Sequence, residues 1–268
     1  MLSKQTKQKF LPLPQYQTTK KLEDRSYLHT RFSVNKDDFN CWIFDHFPKN
    51  PNLKILELGC GTGILWIKNL KRIPSSWKLT LTDLSPAMIA KTKENLSELK
   101  NNMVFKLVDA QKIPFKNHSF DLVIANHMLY HVHDRKEALS EIKRVLKPNG
   151  FFFAAANGRR HMEELNELLS EFEQDLRLRN KNFVELFNLE DGAKQLTPFF
   201  SKVETEKFPD QLRVTQIKPL VDYILSTRAR KILTGTKLNE FTSLLESKLK
   251  KGPIVITKEV GLFKASNG

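Results

Sequence analysis

Ile55-Leu56-Glu57-Leu58-Gly59-Cys60-Gly61-Thr62-Gly63 is the stretch on which the reading of this chain turns. A short, mostly apolar run leads into three alternate glycines, and Ile64 to Arg72 beyond them reads as a helix. Asp83 follows Gly63 by 20 residues and closes a second strand-like run, Leu79-Thr80-Leu81-Thr82. Strand, glycine turn, helix, then an acid at the end of the next strand describes a nucleoside-binding βαβ unit. Glycine lets backbone approach a ligand where a Cβ would clash, and a carboxylate accepts hydrogen bonds from both hydroxyls of a ribose. The dinucleotide fingerprint G-x-G-x-x-G is broken, because Ile64 stands at its third glycine.

The pattern E-x-G-x-G-x-G from Glu57 to Gly63 instead resembles motif I of the class I S-adenosylmethionine-dependent methyltransferases. The order of the later pieces carries the resemblance over residues 53 to 157. Val104 to Val108 reads as the third strand, followed by Asp109-Ala110. Ser119 to Asn126 looks like the fourth, and Arg144 to Gly150 resembles the turn before a fifth, Phe151 to Ala156. The likeness is nearest to the quinone-biosynthesis type, which methylates small molecules. It implies an α/β, Rossmann-like methyltransferase fold: a mostly parallel seven-stranded sheet, helices on both faces and an added helical lid. It also implies S-adenosyl-L-methionine as cofactor. Glu57, Gly59, Gly61 and Gly63 would then wall the methionine end, and Asp83 would hold the ribose. Leu84 and Met88 would lie beside the adenine, although a Met at helical spacing also suits plain core. Asp109, Ala110 and Gln111 would meet the adenine edge, and Asn126 would border cofactor and substrate.

Composition narrows the class without choosing it. At 268 residues and 40% hydrophobic, the chain suits one generous domain or one domain with an insertion. No run of about 18 apolar residues occurs, so no membrane span is expected. Basic residues near Met1 lack an apolar segment behind them, so no cleaved signal is expected either. Cys41 and Cys60 read as free thiols of a reducing, cytoplasmic setting. The formal charge of +14 raises a nucleic-acid partner, but the surplus is distributed along the chain. A lysine-rich solvated surface is the favoured account.

Residues 1–50 read as a polar arm plus a helix. Asn35-Lys36-Asp37-Asp38 caps that helix, and Phe39, Trp42, Ile43 and Phe47 recur at helical spacing. Residues 51–157 read as the cofactor-binding core. Within it, Ser85-Pro86 starts a helix with Met88, Ile89, Thr92, Leu96 and Leu99 on one face. Asp134 to Glu137 starts another. Residues 158–268 complete the same domain. Helices are expected over 161–178, from Asn188 to Phe200, and near 217–229 and 237–250. Lys202 to Phe208 and Pro253 to Lys264 each alternate like a strand and resemble the family's closing antiparallel pair. Residues 209–252 between them read as an insertion.

Methyl transfer from a sulfonium is an in-line displacement with a neutral thioether leaving. Positioning and exclusion of water therefore carry most of it, and a base is needed only for a protonated acceptor. His127, Tyr130 and His131 lie after the fourth strand, where open α/β sheets bind ligands. Each is a candidate base, with packing or substrate shaping as the alternative. His127 and His131, four residues apart, also raise a metal, but no carboxylate or cysteine accompanies them in register, so none is expected. The favoured partner is a small-molecule methyl acceptor, enclosed by the arm, residues 127–133 and residues 158–252. The chain would act as a monomer or homodimer. A methyltransferase acting on RNA or protein, and a non-catalytic cofactor-binding protein, are the competing readings.

Overall fold

The computed structural model describes residues 20–97, 103–174, 176–178 and 186–267. In chain order the strands are β1 (Lys54–Leu58), β2 (Lys78–Asp83), β3 (Met103–Leu107), β4 (Phe120–Ile124), β5 (Leu146–Asn157), β6 (Lys202–Phe208), β7 (Gln211–Val214), β8 (Ile254–Thr257) and β9 (Val260–Ser266). The helices are α1 (Lys20–Phe32), α2 (Phe39–Asp45), α3 (Ile64–Lys68), α4 (Pro86–Asn95), α5 (Arg135–Val145), α6 (Glu163–Phe172), α7 (Gly192–Leu196), α8 (Ile217–Leu225) and α9 (Gly235–Leu249).

Among the described residues seven strands form one sheet, ordered β3-β2-β1-β4-β5-β9-β6. The first five are parallel, and β9 runs antiparallel between β5 and β6. This is the expected Rossmann-like arrangement. Side chains alternate across each strand, so Leu56, Leu58 and Val123 face one layer while Ile55, Leu79 and Leu122 face the other. The first layer contains Leu139 and Ile142 of α5. The second contains Ile43 and Phe44 of α2, Trp66 of α3 and Ile89 of α4. Helix starts follow their capping residues. Asp38 accepts the Asn40 amide at 2.8 Å, Ser85 the Met88 amide at 3.4 Å, and Asp134 the Glu137 amide at 3.0 Å.

A second hydrophobic core lies outside this sandwich. It joins Leu28 of α1, Leu165 of α6, Leu212 of β7, Ile224 of α8, Phe241 of α9 and Ile256 of β8. Strands β7 and β8 pair as a separate two-stranded antiparallel sheet. The cap so formed corrects several expectations. Pro253 to Lys264 is not one strand: the chain turns at Lys258-Glu259, so Ile254–Thr257 joins the cap and Val260–Ser266 the main sheet. The inserted unit therefore runs to residue 257 rather than 252. Leu165, Leu169, Ile224, Phe241 and Leu245 are buried in this core, and Phe172, Val221, Leu225 and Leu244 pack partly buried against it. The helix α1 lies in a segment with no expected helix, and its apolar side joins the same core.

Other differences are local. The helix after the glycines stops at Lys68 and continues as a 3₁₀ turn, Leu70–Arg72. Among the described residues of 161–178 the helix is Glu163–Phe172. The helix expected from Asn188 is shortened to Gly192–Leu196. Asn188 Oδ1 receives the Asp191 amide three residues on at 2.8 Å, an N-cap-type bond to a turn that precedes the helix, and Pro198 disfavours helix at the residue before it. Leu146 already pairs with Phe120 and Phe151 with Leu122, so Lys147–Gly150 forms a bulge inside β5. Residues 1–19 of the arm and Leu99 lie outside the described residues. No helix among the described residues is long and apolar enough to cross a membrane.

Candidate cofactor and acceptor site

The loop after β1 has Gly59, Gly61 and Gly63 all at positive φ (68°, 57° and 80°), a region that L side chains enter only with strain. Space is a second constraint. A Cβ on Gly59 would stand 2.9 Å from Met128 Cβ, and one on Gly63 would stand 3.0 Å from Thr92 Cγ2. The loop is tied down by its own polar groups. Cys60 N donates to Thr82 O at 2.8 Å, Thr92 Oγ1 to Gly61 O at 2.6 Å, and Asn95 Nδ2 to Thr62 O at 2.9 Å.

Asp83, at the end of β2, is held between two backbone donors. Oδ2 accepts from Gly61 N at 3.0 Å and Oδ1 from Ser85 N at 2.8 Å. Burial raises its pKa, opposed by those same bonds. Glu57 lies beneath the loop, 3% exposed, and accepts from Trp66 Nε1 at 2.6 Å. Burial, with the neighbouring Asp83 charge, pushes its carboxyl up to about 7 despite the indole bond. Burial and the same two carboxylates push the Cys60 thiol well above its ordinary range, which leaves it a neutral thiol and a poor nucleophile.

The remaining expected positions separate by exposure. Leu84 is 38% exposed, the side chain of this group most open to a ligand, whereas Met88 is 1% exposed and offers almost no surface. Asp109 Oδ1 accepts from Gln111 N at 2.9 Å and from Gln111 Nε2 at 3.1 Å. Gln111 Oε1 in turn receives the Asp134 amide at 2.8 Å, which fixes this turn to the start of α5. Ala110 is buried. After β4, Asn126 Oδ1 is buried with no hydrogen-bond partner among the described residues.

His127 has a left-handed backbone at φ 53°, and its amide donates to Ala155 O at 2.9 Å. Such strain in a non-glycine residue is concentrated at functional sites. The segment beyond it is not an α-helix but a 3₁₀ turn, Leu129–His131. His127 and His131 therefore do not share a helical face, and the i, i+4 argument for paired ligands does not apply. Tyr130 packs against the α5-side core and meets His131 edge-on at 4.4 Å, whereas the His127 ring lies 5.7 Å from Phe39 on α2. No group of three or more His, Cys, Asp or Glu residues placed to hold a metal occurs among the described residues.

Phe39 belongs to an aromatic wall that the sequence showed only as core spacing. Its ring stands 5.7 Å from Trp42 and 5.3 Å from Phe208, and Trp42 stands 5.3 Å from Phe208. Phe208 ends β6 opposite Val260, level with Asn157 at the carboxyl end of β5. The wall therefore rises at the same edge of the sheet as the glycine loop.

Fold and loop define the class: this is a class I methyltransferase fold. Residues 56–154 match the family described as methyltransferase domain. The highly reducing polyketide synthase verA of Penicillium polonicum is 34% identical over 106 residues, 38% of this chain and 4% of that protein. The chain thus spans a small part of that far larger relative. Among solved structures, the YcgJ protein from Bacillus subtilis superposes with a TM-score of 0.57 at 16% identity, covering 85% of this chain and 98% of that one. Haemonchus contortus phosphoethanolamine N-methyltransferase 2, in complex with S-adenosyl-L-methionine, gives a TM-score of 0.57 at 20% identity, covering 93% of this chain and 57% of that one.

Proposed function

We propose that this chain transfers a methyl group from S-adenosyl-L-methionine to an O, N or C atom of a small molecule. The observation that carries the reading is Asp83, a half-buried carboxylate steered by the Gly61 and Ser85 amides at the rim of a glycine loop that side chains cannot replace. Asp83 accepts from the ribose hydroxyls. Asp109, Ala110 and Gln111 meet the adenine edge, and the exposed Leu84 lies against its face. The glycine loop leaves room for the methionine end, with Glu57 buried below it. Asn126 Oδ1, without a donor among the described residues, suits an ammonium.

When bound, the cofactor would supply an electrophilic methyl on a sulfonium: an electron pair of the acceptor would form the new bond to carbon, and sulfur would keep the pair of the broken S–CH₃ bond as a neutral thioether. The protein's share is to align the acceptor and keep the site dry. His127, beside the aromatic wall rather than in the α5-side core, would take the proton from a protonated acceptor. Tyr130 and His131 support the turn that carries it. Charge transfer to a metal plays no part in this scheme. The cap and α2 bound the acceptor, which favours a small substrate over RNA or protein, in a cytoplasmic enzyme.

Incubation of the protein and methyl-labelled cofactor with fractionated small-molecule extract, read by mass spectrometry, tests the proposal. A labelled small molecule made by the parent and lost in Asp83→Ala is the expected result. Label found only on RNA or protein would refute the acceptor class.

A further inference from the structure

We propose that Asp210 is a positioning residue for the acceptor side: it sets where Phe39 stands against His127, through the buried Phe208 on which Phe39 packs. Its purpose rests on the methyl-transfer reading, but its geometry is testable without it. Asp210 lies in the turn between β6 and β7 with a side chain that is 0% exposed, paired with Lys258 at 9%. Four donors surround the carboxylate. Gln211 N and Asn35 N reach Oδ1 at 2.8 and 3.1 Å, while Ser33 Oγ and Lys258 Nζ reach Oδ2 at 2.7 and 2.5 Å. Two oxygens offer about four acceptor positions, so the group is saturated.

Those donors bring together three segments distant in sequence: the α1–α2 linker, the β6–β7 turn and the β8–β9 turn. Asn35 Nδ2 adds a bond to Pro209 O at 2.9 Å, and Val34 N one to Gln211 O at 3.0 Å. Each gripped segment carries or touches a ring of the wall. Phe39 opens the helix that begins four residues after Asn35. Phe208 stands two residues before Asp210, and Lys258 Nζ lies 5.6 Å from its ring centroid. Burying an ion pair gives little net stability compared with apolar side chains of the same volume. A saturated carboxylate does fix directions, since each donor meets one lone pair at one distance. Release of Asp210 therefore frees the linker and the β6 end together, and with them Phe39 beside His127 and the buried Phe208 behind it.

The test uses the full chain and NMR of the His127 imidazole, whose protons sense the ring current of Phe39 at 5.7 Å. Phe39→Leu defines the His127 shifts without that ring. Asp210→Asn is expected to move the His127 ring resonances toward the Phe39→Leu values and to speed exchange of the Asn35 amide by about tenfold or more. Affinity for S-adenosylhomocysteine should stay within about twofold of the parent, because the glycine loop shares no partner with Asp210. Ser33→Ala, which removes one donor and keeps the ion pair, should move the same resonances in the same direction by less. It carries the test alone if Asp210→Asn does not fold. Unchanged His127 resonances in the folded variants would overturn the proposal, as would shifts that spread equally over the Gly59–Gly63 amides. Failure of the parent to bind S-adenosylhomocysteine would sink the methyl-transfer reading but leave the ring-current result free to decide the geometry.

Discussion

The cofactor half and the cap are built by different means. From Lys54 to Asn157 the decisive features are backbone ones: three left-handed glycines, a carboxylate receiving two amides, and capping residues at the helix starts. In the cap, apolar side chains of α1, α6, α8, α9 and the β7–β8 pair close on one another around their own core. A site made of backbone tolerates few residue types, whereas a packed core tolerates many of similar volume. The first half therefore announces a chemistry and the second only a shape.

The sharpest way to separate the halves is to empty one core. Phe241, 1% exposed, meets Phe172 edge-on at 5.1 Å. Phe241→Ala should cost the cap about 3–5 kcal/mol, seen as faster hydrogen exchange in α6, α8 and α9. Cofactor-product affinity should hold. Equal loosening of the main sheet would show that cap and core unfold as one unit.

In the other half the largest handle is pH. The Glu57 carboxyl is raised from 4.5 to about 7 in the folded chain. Between those values the folded protein binds more protons than the unfolded one, so stability is full below pH 4.5 and is lost as pH rises through 7. The loss is up to about 3 kcal/mol. Glu57→Gln should flatten this dependence in denaturant titrations across the window. Identical pH profiles for parent and variant would contradict the burial argument.

A smaller effect is expected at Asp83. Asp83→Ala should weaken S-adenosylhomocysteine binding by about 1–3 kcal/mol and leave cap exchange as in the parent. Loss of protection in the cap would erase the contrast between the two regions.

That contrast also explains what could be read before the fold was known. Gly59, Gly61, Gly63 and Asp83 were legible because their spacing serves one geometry. Ser85-Pro86 and Asp134 were legible because capping is local. Lys258 and Asp210 were not, since nothing near either residue in sequence reveals a partner 48 positions away. The break in Pro253–Lys264 was hidden for the same reason. Alternation continues through the turn at Lys258-Glu259, and the run is divided between two sheets by long-range partners: Asp210 on Lys258, Gly158 N on Glu259 O and Met162 N on Thr257 O. Phe39 and Trp42 were visible as apolar helix positions, but their exposure to the site depends on Phe208, which comes from another sheet strand. The i, i+4 spacing of His127 and His131 suggests a shared helical face, which the left-handed backbone of His127 and the 3₁₀ turn Leu129–His131 rule out.

Isothermal calorimetry of the parent protein with S-adenosylmethionine, S-adenosylhomocysteine and NAD tests the central claim most directly. Saturable binding of both sulfur nucleosides at one site per chain, with no heat from NAD, is the predicted outcome. Absence of heat from either sulfur nucleoside at protein concentrations well above micromolar, or saturable binding of NAD, would contradict it.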